Sequence, residues 1–537
     1  MTELTGGQVL VQSLENRGVR TIFGMPGINI LHIYDALRDS KIRHVLIKHE
    51  QSAAFMADAY ARVTGKPGVC LTTAGPGLTN ALTGLATAYS DSIPVLLLAG
   101  EISSGLIGKG KGVLHEIDQT SLSTPVTKAA HCVLNIAEIP EVIEKAFSEL
   151  LAGRPRPVYI GLPDDVLGAT YDLPMPKQET HIRESQAGDE NSIEKAVNLL
   201  VRSRSPVILA GGGVVSSEAS LELVEVAELL YAPVTTTVMG AGSMPSDHSL
   251  FFGRTRMPKA VDAVFQEADV MLAVGTRFSS LSMRNWALKI PENLIHVDID
   301  SQEIGKNYPA KIGIQGDAKL VLQQMANRLR STPRTDRSDW QRKAEGLRQS
   351  AWEELKVAYP KEVGAVMDIR GALERNAIVT ADTTILSYWM QRIFPIYEPR
   401  TFLYPFGYVA MGYALPAAIA SKIASPERQV VAVCGDGGFM LTCQELATAV
   451  ENGINIPILL NNNASYGILK HLQNLRFDGR HIGVDLCNPD FAKLAESFGA
   501  RAVRADRPDQ IGSCLRDAHQ SDRLTIIEIQ TQFTPPG

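Results

Sequence analysis

The sequence predicts an α/β protein made of three doubly wound parallel-sheet domains. Three observations carry that expectation. Short apolar runs ending in glycine or polar residues alternate with helical stretches along the whole chain. The 537 residues exceed what one hydrophobic core sustains. Two polar, proline-containing stretches, 175–192 and 330–346, interrupt the rhythm and read as linkers. Domains are therefore expected at 1–175, 193–330 and 350–537.

Taken in order, MTELTGGQVLVQSLENRGV reads as an amphipathic helix with charges inside it, not as a signal peptide. The first domain then offers strands at TIFG (21–24), VLIKH (45–49), VCLTT (69–73), VLLLAG (95–100) and VYIGL (158–162). The second offers PVILAGG (206–212), VMLAVG (270–275) and LIHVDID (294–300). The third offers IVTAD (378–382), VVAVCGDG (430–437), PILLNNN (457–463) and TIIEIQ (525–530). In the first and third domains strands run into polar or glycine-rich loops that open helices, which is where such sheets place ligands.

Composition narrows the function. Apolar residues at 45% and charged residues at 20% are ordinary for a globular protein. A formal charge of −6 and the lack of any basic cluster argue against a nucleic-acid surface. No apolar run approaches the ~20 residues that span a bilayer. Cys70, Cys132, Cys434, Cys443, Cys487 and Cys514 are scattered without CxxC spacing and read as reduced, buried thiols. A soluble, cytoplasmic protein is expected.

The most informative stretch is GDGGFMLTCQELATAVENGINIPILLNNN, 435–463. Gly435 ends a β-branched run, and Gly437 and Gly438 open the next helix, so backbone amides there can approach a phosphate. Asp436 supplies a hard oxygen beside it. The spacing 463 − 436 = 27 allows one helix and one returning strand, which brings Asn463 back beside Asp436. With a backbone carbonyl such as that of Ser465, these oxygens would form the protein share of a magnesium site. A turn aspartate and a capping asparagine are the ordinary readings of either residue alone; their joint spacing favours the metal.

GDG followed at this distance by NN resembles the diphosphate-and-magnesium motif of thiamine-diphosphate enzymes. QELATAVENGI and NNNASYGIL resemble acetolactate synthases in particular. The resemblance covers essentially the whole chain and implies pyrimidine-binding, middle and diphosphate-binding domains. It implies cofactor contacts at Tyr466, Gly467 and Ile468, and at Thr383 and Thr384 in TADTTILSYW. In IKHEQSAAFMADAYARV, Glu50 resembles the activating glutamate, with FGMPG (ending at Gly27) and TTAGPGLTN facing it. Such a carboxylic acid, bonded to a pyrimidine nitrogen, drives the opposite amino group to the imino form that deprotonates the thiazolium carbon. Burial would favour its protonated state. In YPFGYVAMGYALPAAIA, Met411 resembles the wedge under the bent cofactor and the Val409 carbonyl the acceptor of the pyrimidine amino group. The family also implies a homodimer at least, with a homotetramer expected. FAD occurs in some relatives, but Gly211, Gly212 and Gly213 do not spell GxGxxG, so an empty middle domain is the expectation.

Departures shape the expected reaction. Leu114–His115 stands where acetolactate synthases present phenylalanine–glutamine, and Leu472 where they place tryptophan. GKG…LHE instead resembles 2-oxo acid decarboxylases related to guanidino-oxopentanoate decarboxylase. The leading expectation is non-oxidative decarboxylation of a 2-oxo acid through an enamine, using thiamine diphosphate and Mg2+. The alternatives are an acetolactate-synthase-type carboligase, a flavin-linked oxidase and a cofactor-binding relative without turnover. Two readings of His115 stay open: it relays a proton to the enamine, or it only positions a loop. Ile28 is expected to narrow the pocket. Glu116 and Asp118 could meet a cationic substrate, though surface acids are commoner than clamps. The ending TIIEIQTQFTPPG, without a closing segment, leads to the expectation of a more open pocket.

Overall fold

The structure, a computed structural model, describes residues 3–171 and 186–536. The first expected linker lies outside the described residues up to position 185. Three six-stranded sheets form, parallel throughout. All twelve runs read from the sequence fall on strands. The first and third sheets share one topology. In the third the order is Phe402–Leu403, Ile378–Ala381, Val430–Gly435, Pro457–Asn461, Thr525–Ile529, Arg501–Ala505. The middle sheet runs Phe251–Arg254, Val234–Thr236, Pro206–Ala210, Val270–Val274, Asn293–Asp298, Ile312–Gln315. In the first and third sheets, two neighbouring strands lead to helices on opposite faces, which opens a crevice at their carboxyl ends.

Six strands of these sheets were not legible in the sequence. Five are edges: Ala129–Cys132, Phe251–Arg254, Ile312–Gln315, Phe402–Leu403 and Arg501–Ala505. An edge strand has one neighbour and a partly solvated surface, so its apolar run is short or broken by polar residues. The second expected linker needs correction, because Ser338–Ala358 is a helix. Trp340 and Ala344 lie one turn apart on it and are buried, and Trp340 Nε1 donates to the Pro206 carbonyl at 2.9 Å. Arg337, just before it, donates to the Leu200 and Val201 carbonyls at the end of helix Glu190–Arg202.

The amino-terminal helix is Gly6–Asn16, capped by Thr5 and Gln8 in a reciprocal box. Among the described residues no helix is long and apolar enough to cross a membrane. The six cysteines are free, but only Cys70 and Cys434 are buried; Cys487 is exposed and the other three are half-buried. The chain's end packs onto the third domain: Phe533 is buried and the Thr534 carbonyl accepts from Trp389 Nε1 at 2.7 Å.

Helix Glu50–Thr64 joins the first and third domains. Its alanines pack against those of helix Ala414–Ala424. Near its end Arg62 pairs with buried Asp58 (2.6 Å) and Asp91 (2.8 Å). Tyr413 donates to Asp58 at 2.7 Å, and Gly407 N–H donates to Asp91 at 2.7 Å. Burial pushes the Asp91 carboxyl up, with Arg62 only partly offsetting it. For Arg62, burial alone would lower the pKa, but Asp58, Tyr413 and Asp91 together hold the guanidinium charged.

Candidate active site

One group of predicted residues assembles at the crevice of the third sheet. Strands Ile378–Ala381 and Val430–Gly435 are neighbours there. Asp436 begins the short helix Asp436–Phe439 and is buried. Burial raises its carboxyl pKa, opposed by the Asn488 amide (2.8 Å) and the N–H groups of Gly437, Ala464 and Ser465. Asn463 and Ser465 therefore return beside Asp436, on the loop before helix Gly467–Phe477. Asn463 Oδ1 accepts from Ser465 N–H at 3.3 Å. Asn488, which also donates to Asn462 at 2.9 Å, was missed because nothing in its local sequence marks it.

The glycine loop at 435–438 is tightly packed. A Cβ on Gly437 would stand 2.5 Å from Tyr466 Cε1, and Gly435 lies against Thr384. Val409 has φ of 56°, a left-handed conformation that a β-branched residue resists. Thr383 Oγ1 reaches its carbonyl at 3.4 Å, and half-buried Met411 follows. Ile468 and Leu472 are half-buried on helix Gly467–Phe477.

A second group assembles on the first sheet. Glu50 opens its helix, is buried, and accepts from Asn80 Nδ2 at 3.0 Å. His49 caps that helix through Nδ1, which accepts from Gln51 N–H at 3.2 Å. Gly27 packs against Thr73. His115, at φ 68°, stands over Gly75 with Nδ1 3.2 Å from Asn29 Oδ1. Thr73 Oγ1 donates to the same oxygen at 3.3 Å. In the tautomer with its proton on Nδ1, His115 donates to this oxygen. Buried Gln119 fixes this corner by accepting from Gly75 N–H at 2.7 Å and donating to buried Glu101 at 2.7 Å.

Glu116 Oε2 accepts from Gly112 and Val113 N–H, and Asp118 caps helix Gln119–Ser123, so both carboxylates shape the loop, while Glu116 Oε1 is buried and accepts no hydrogen bond among the described residues. Ile28 and Leu114 are exposed in the single chain. Among the described residues, the Glu50, Asn29 and His115 side chains make no hydrogen bond to the Asp436 group.

The chain matches three family descriptions in succession. They are thiamine pyrophosphate enzyme, N-terminal TPP binding domain (residues 4–122), central domain (193–325) and C-terminal TPP binding domain (382–529). It is 39% identical to a "probable acetolactate synthase large subunit" of Methanocaldococcus jannaschii, over 99% of this chain and 94% of that protein. This chain belongs to the thiamine pyrophosphate enzyme family. The acetolactate synthase large subunit of Haemophilus influenzae is 36% identical, covering 98% of this chain and 95% of its own. The "probable 2-ketoarginine decarboxylase AruI" of Pseudomonas aeruginosa is 37% identical, with 98% and 94% covered.

The residues of this thiamine pyrophosphate enzyme fit the cofactor and a divalent cation. The surface beside Gly437 has no room for a side chain, Asp436 is a buried carboxylate held only by neutral donors in the bonds above, and Val409 is held in strain. Among the described residues no three His, Cys, Asp or Glu side chains converge on a metal position. A cation here would thus have one carboxylate plus amide and carbonyl oxygens, leaving positions for phosphate and water, as Mg2+ requires.

The middle domain holds a feature that its sequence did not announce. Gly212, Gly213, Gly275, Arg277 and Asp298 line a cleft partly open to solvent, together with Arg62, Arg154 and Arg400 from the neighbouring domains. Burial pushes the Asp298 carboxyl up to about 6. Gly212 and Gly213 of the glycine run at 211–213 form part of its wall.

Proposed function

We propose that this protein decarboxylates a 2-oxo acid with thiamine diphosphate and Mg2+ and joins the remaining acyl fragment to a second 2-oxo acid, as an acetolactate-synthase-type carboligase. The observation that carries this reading is similarity along the whole chain to relatives bearing that name, supported by the burial of Glu50 and of Asp436 at the glycine loop. Bound thiamine diphosphate supplies the carbon nucleophile and the electron sink for loss of carbon dioxide. Glu50 holds a proton against the pyrimidine nitrogen. Asp436, Asn463 and the Ser465 carbonyl hold the cation, and the amides around Gly435, Gly437 and Gly438, with Thr383 and Thr384, receive the diphosphate. Val409, Met411, Tyr466, Gly467 and Ile468 would seat the cofactor. The division into domains at 1–175, 193–330 and 350–537 is part of the proposal.

A second reading, release of an aldehyde, is favoured by His115. With its proton on Nδ1 toward Asn29, Nε2 can carry a proton to the reacting carbon. Ile28, Leu114 and Leu472 would then shape the substrate pocket. A homodimer at least, or a pair of dimers, is part of the proposal, because exposed Ile28, Leu114, Leu469 and Leu475 lie around both half-sites. Flavin stays outside it; flavin absorbance in pure protein would bring the cleft in. Incubation with pyruvate, benzoylformate, branched and guanidino 2-oxo acids decides the outcome. A 2-hydroxyketone supports the first reading, an aldehyde the second, and neither product with any acid overturns both.

A further inference from the structure

Asp382 follows strand Ile378–Ala381 and is fully buried, yet it has no role in the reading above. Its Oδ1 accepts from Thr383 N–H at 2.7 Å and Gly412 N–H at 3.1 Å, and its Oδ2 accepts from Gly412 N–H at 2.9 Å. The N–H groups of Tyr413 and Ala414, at the start of helix Ala414–Ala424, also turn toward it. A Cβ on Gly438 would stand 2.6 Å from Oδ2, so the carboxylate also lies against the glycine loop.

Three segments therefore meet on one side chain: Thr383–Thr384, the turn from Val409 to Gly412, and Gly438. The turn needs holding. Val409 has φ of 56° and Gly412 φ of 84°, and such backbone persists only where its surroundings over-determine it. Thr442 Oγ1 supplies a further tie, donating to the Gly412 carbonyl at 3.1 Å. An amide would serve poorly in place of Asp382, since its NH2 would face converging donors. Burying an anion is costly, so a neutral residue would be the better choice if packing alone were at stake.

We propose that Asp382 is a positioning residue that locks the Val409–Gly412 turn onto the diphosphate loop, so that the Val409 carbonyl and Met411 are set for the cofactor before it binds. This rests on the cofactor assignment above. Asp382 touches no reacting atom; it acts through the turn.

The test compares wild type with Asp382→Asn in excess Mg2+. Thiamine diphosphate affinity is measured by calorimetric titration, together with the circular-dichroism signature of the bound cofactor and the unfolding midpoint. The expected result is a loss of affinity of about tenfold or more and an altered signature in a variant that still folds, whether or not the midpoint falls. A residue that only supports the fold would move the midpoint and leave affinity and signature alone; that result overturns the proposal. Wild type that fails to bind thiamine diphosphate overturns the cofactor assignment and this proposal with it. Should the variant not fold, hydrogen exchange on wild-type apoprotein decides: a peptide spanning 409–414 exchanging at free-loop rates refutes the lock, and strong protection at Gly412 supports it.

Discussion

Replacing Arg62 with methionine tests the buried network between the first and third domains. In wild type the guanidinium meets two carboxylates, Asp58 and Asp91, at 2.6 and 2.8 Å, and donates to the Tyr404 carbonyl at 3.3 Å. Methionine leaves both anions buried without their cation. Breaking a buried pair in this way costs roughly 3–5 kcal/mol. For a cooperative unit of roughly 150–250 residues each kcal/mol is worth about 2–4 °C, so the domain transition should fall by on the order of 10 °C. The pH dependence has a definite sign. Burial already raises the Asp91 carboxyl, and without Arg62 it rises further above its unfolded value. The folded variant then binds protons that the unfolded chain does not, so its deficit narrows as pH falls from neutrality toward about 4. Scanning calorimetry of wild type, Arg62→Met and the neutral triple variant Asp58→Asn, Arg62→Met, Asp91→Asn measures this. The triple variant should recover most of the loss. An Arg62→Met protein that melts within about 2 °C of wild type, or whose deficit widens at low pH, would refute the reasoning.

Gly437→Ala places a methyl 2.5 Å from Tyr466 and should weaken Mg2+–thiamine diphosphate binding without unfolding the protein, read by equilibrium dialysis. Asn29→Leu removes the acceptor facing His115 Nδ1 and should lower aldehyde formation at least tenfold relative to any 2-hydroxyketone, read by product chromatography. An unchanged product ratio would remove the proton-relay role. Trp340→Ala should cost about 3–5 kcal/mol by denaturant titration, as for a buried aromatic; a near-neutral change would return 338–346 to linker status.

The parallel strands at the sheet centres were legible because they are buried on both faces and read as continuous β-branched runs. Phe402–Leu403, only two residues long, carries no such pattern. At the site, Asp436 and Asn463 announced themselves by their spacing, since a helix and a strand fix where the chain returns. Asn488 and Asp382 act through hydrogen bonds to segments 52 and 30 residues away, and no local pattern encodes such pairings. Asn29 and Gln119 were hidden for the same reason. The 338–358 helix was misread because only two of its side chains are buried, so its polar face dominates the composition. The middle cleft arises from three domains meeting, which no single segment reveals.

The most direct test is carbon dioxide release from a panel of 2-oxo acids by wild type and Glu50→Gln, with and without thiamine diphosphate and Mg2+. We expect wild type to release it only when both are present, and Glu50→Gln to bind thiamine diphosphate yet turn over at least about a hundredfold more slowly. Full turnover by Glu50→Gln, or release without thiamine diphosphate, would contradict the assignment.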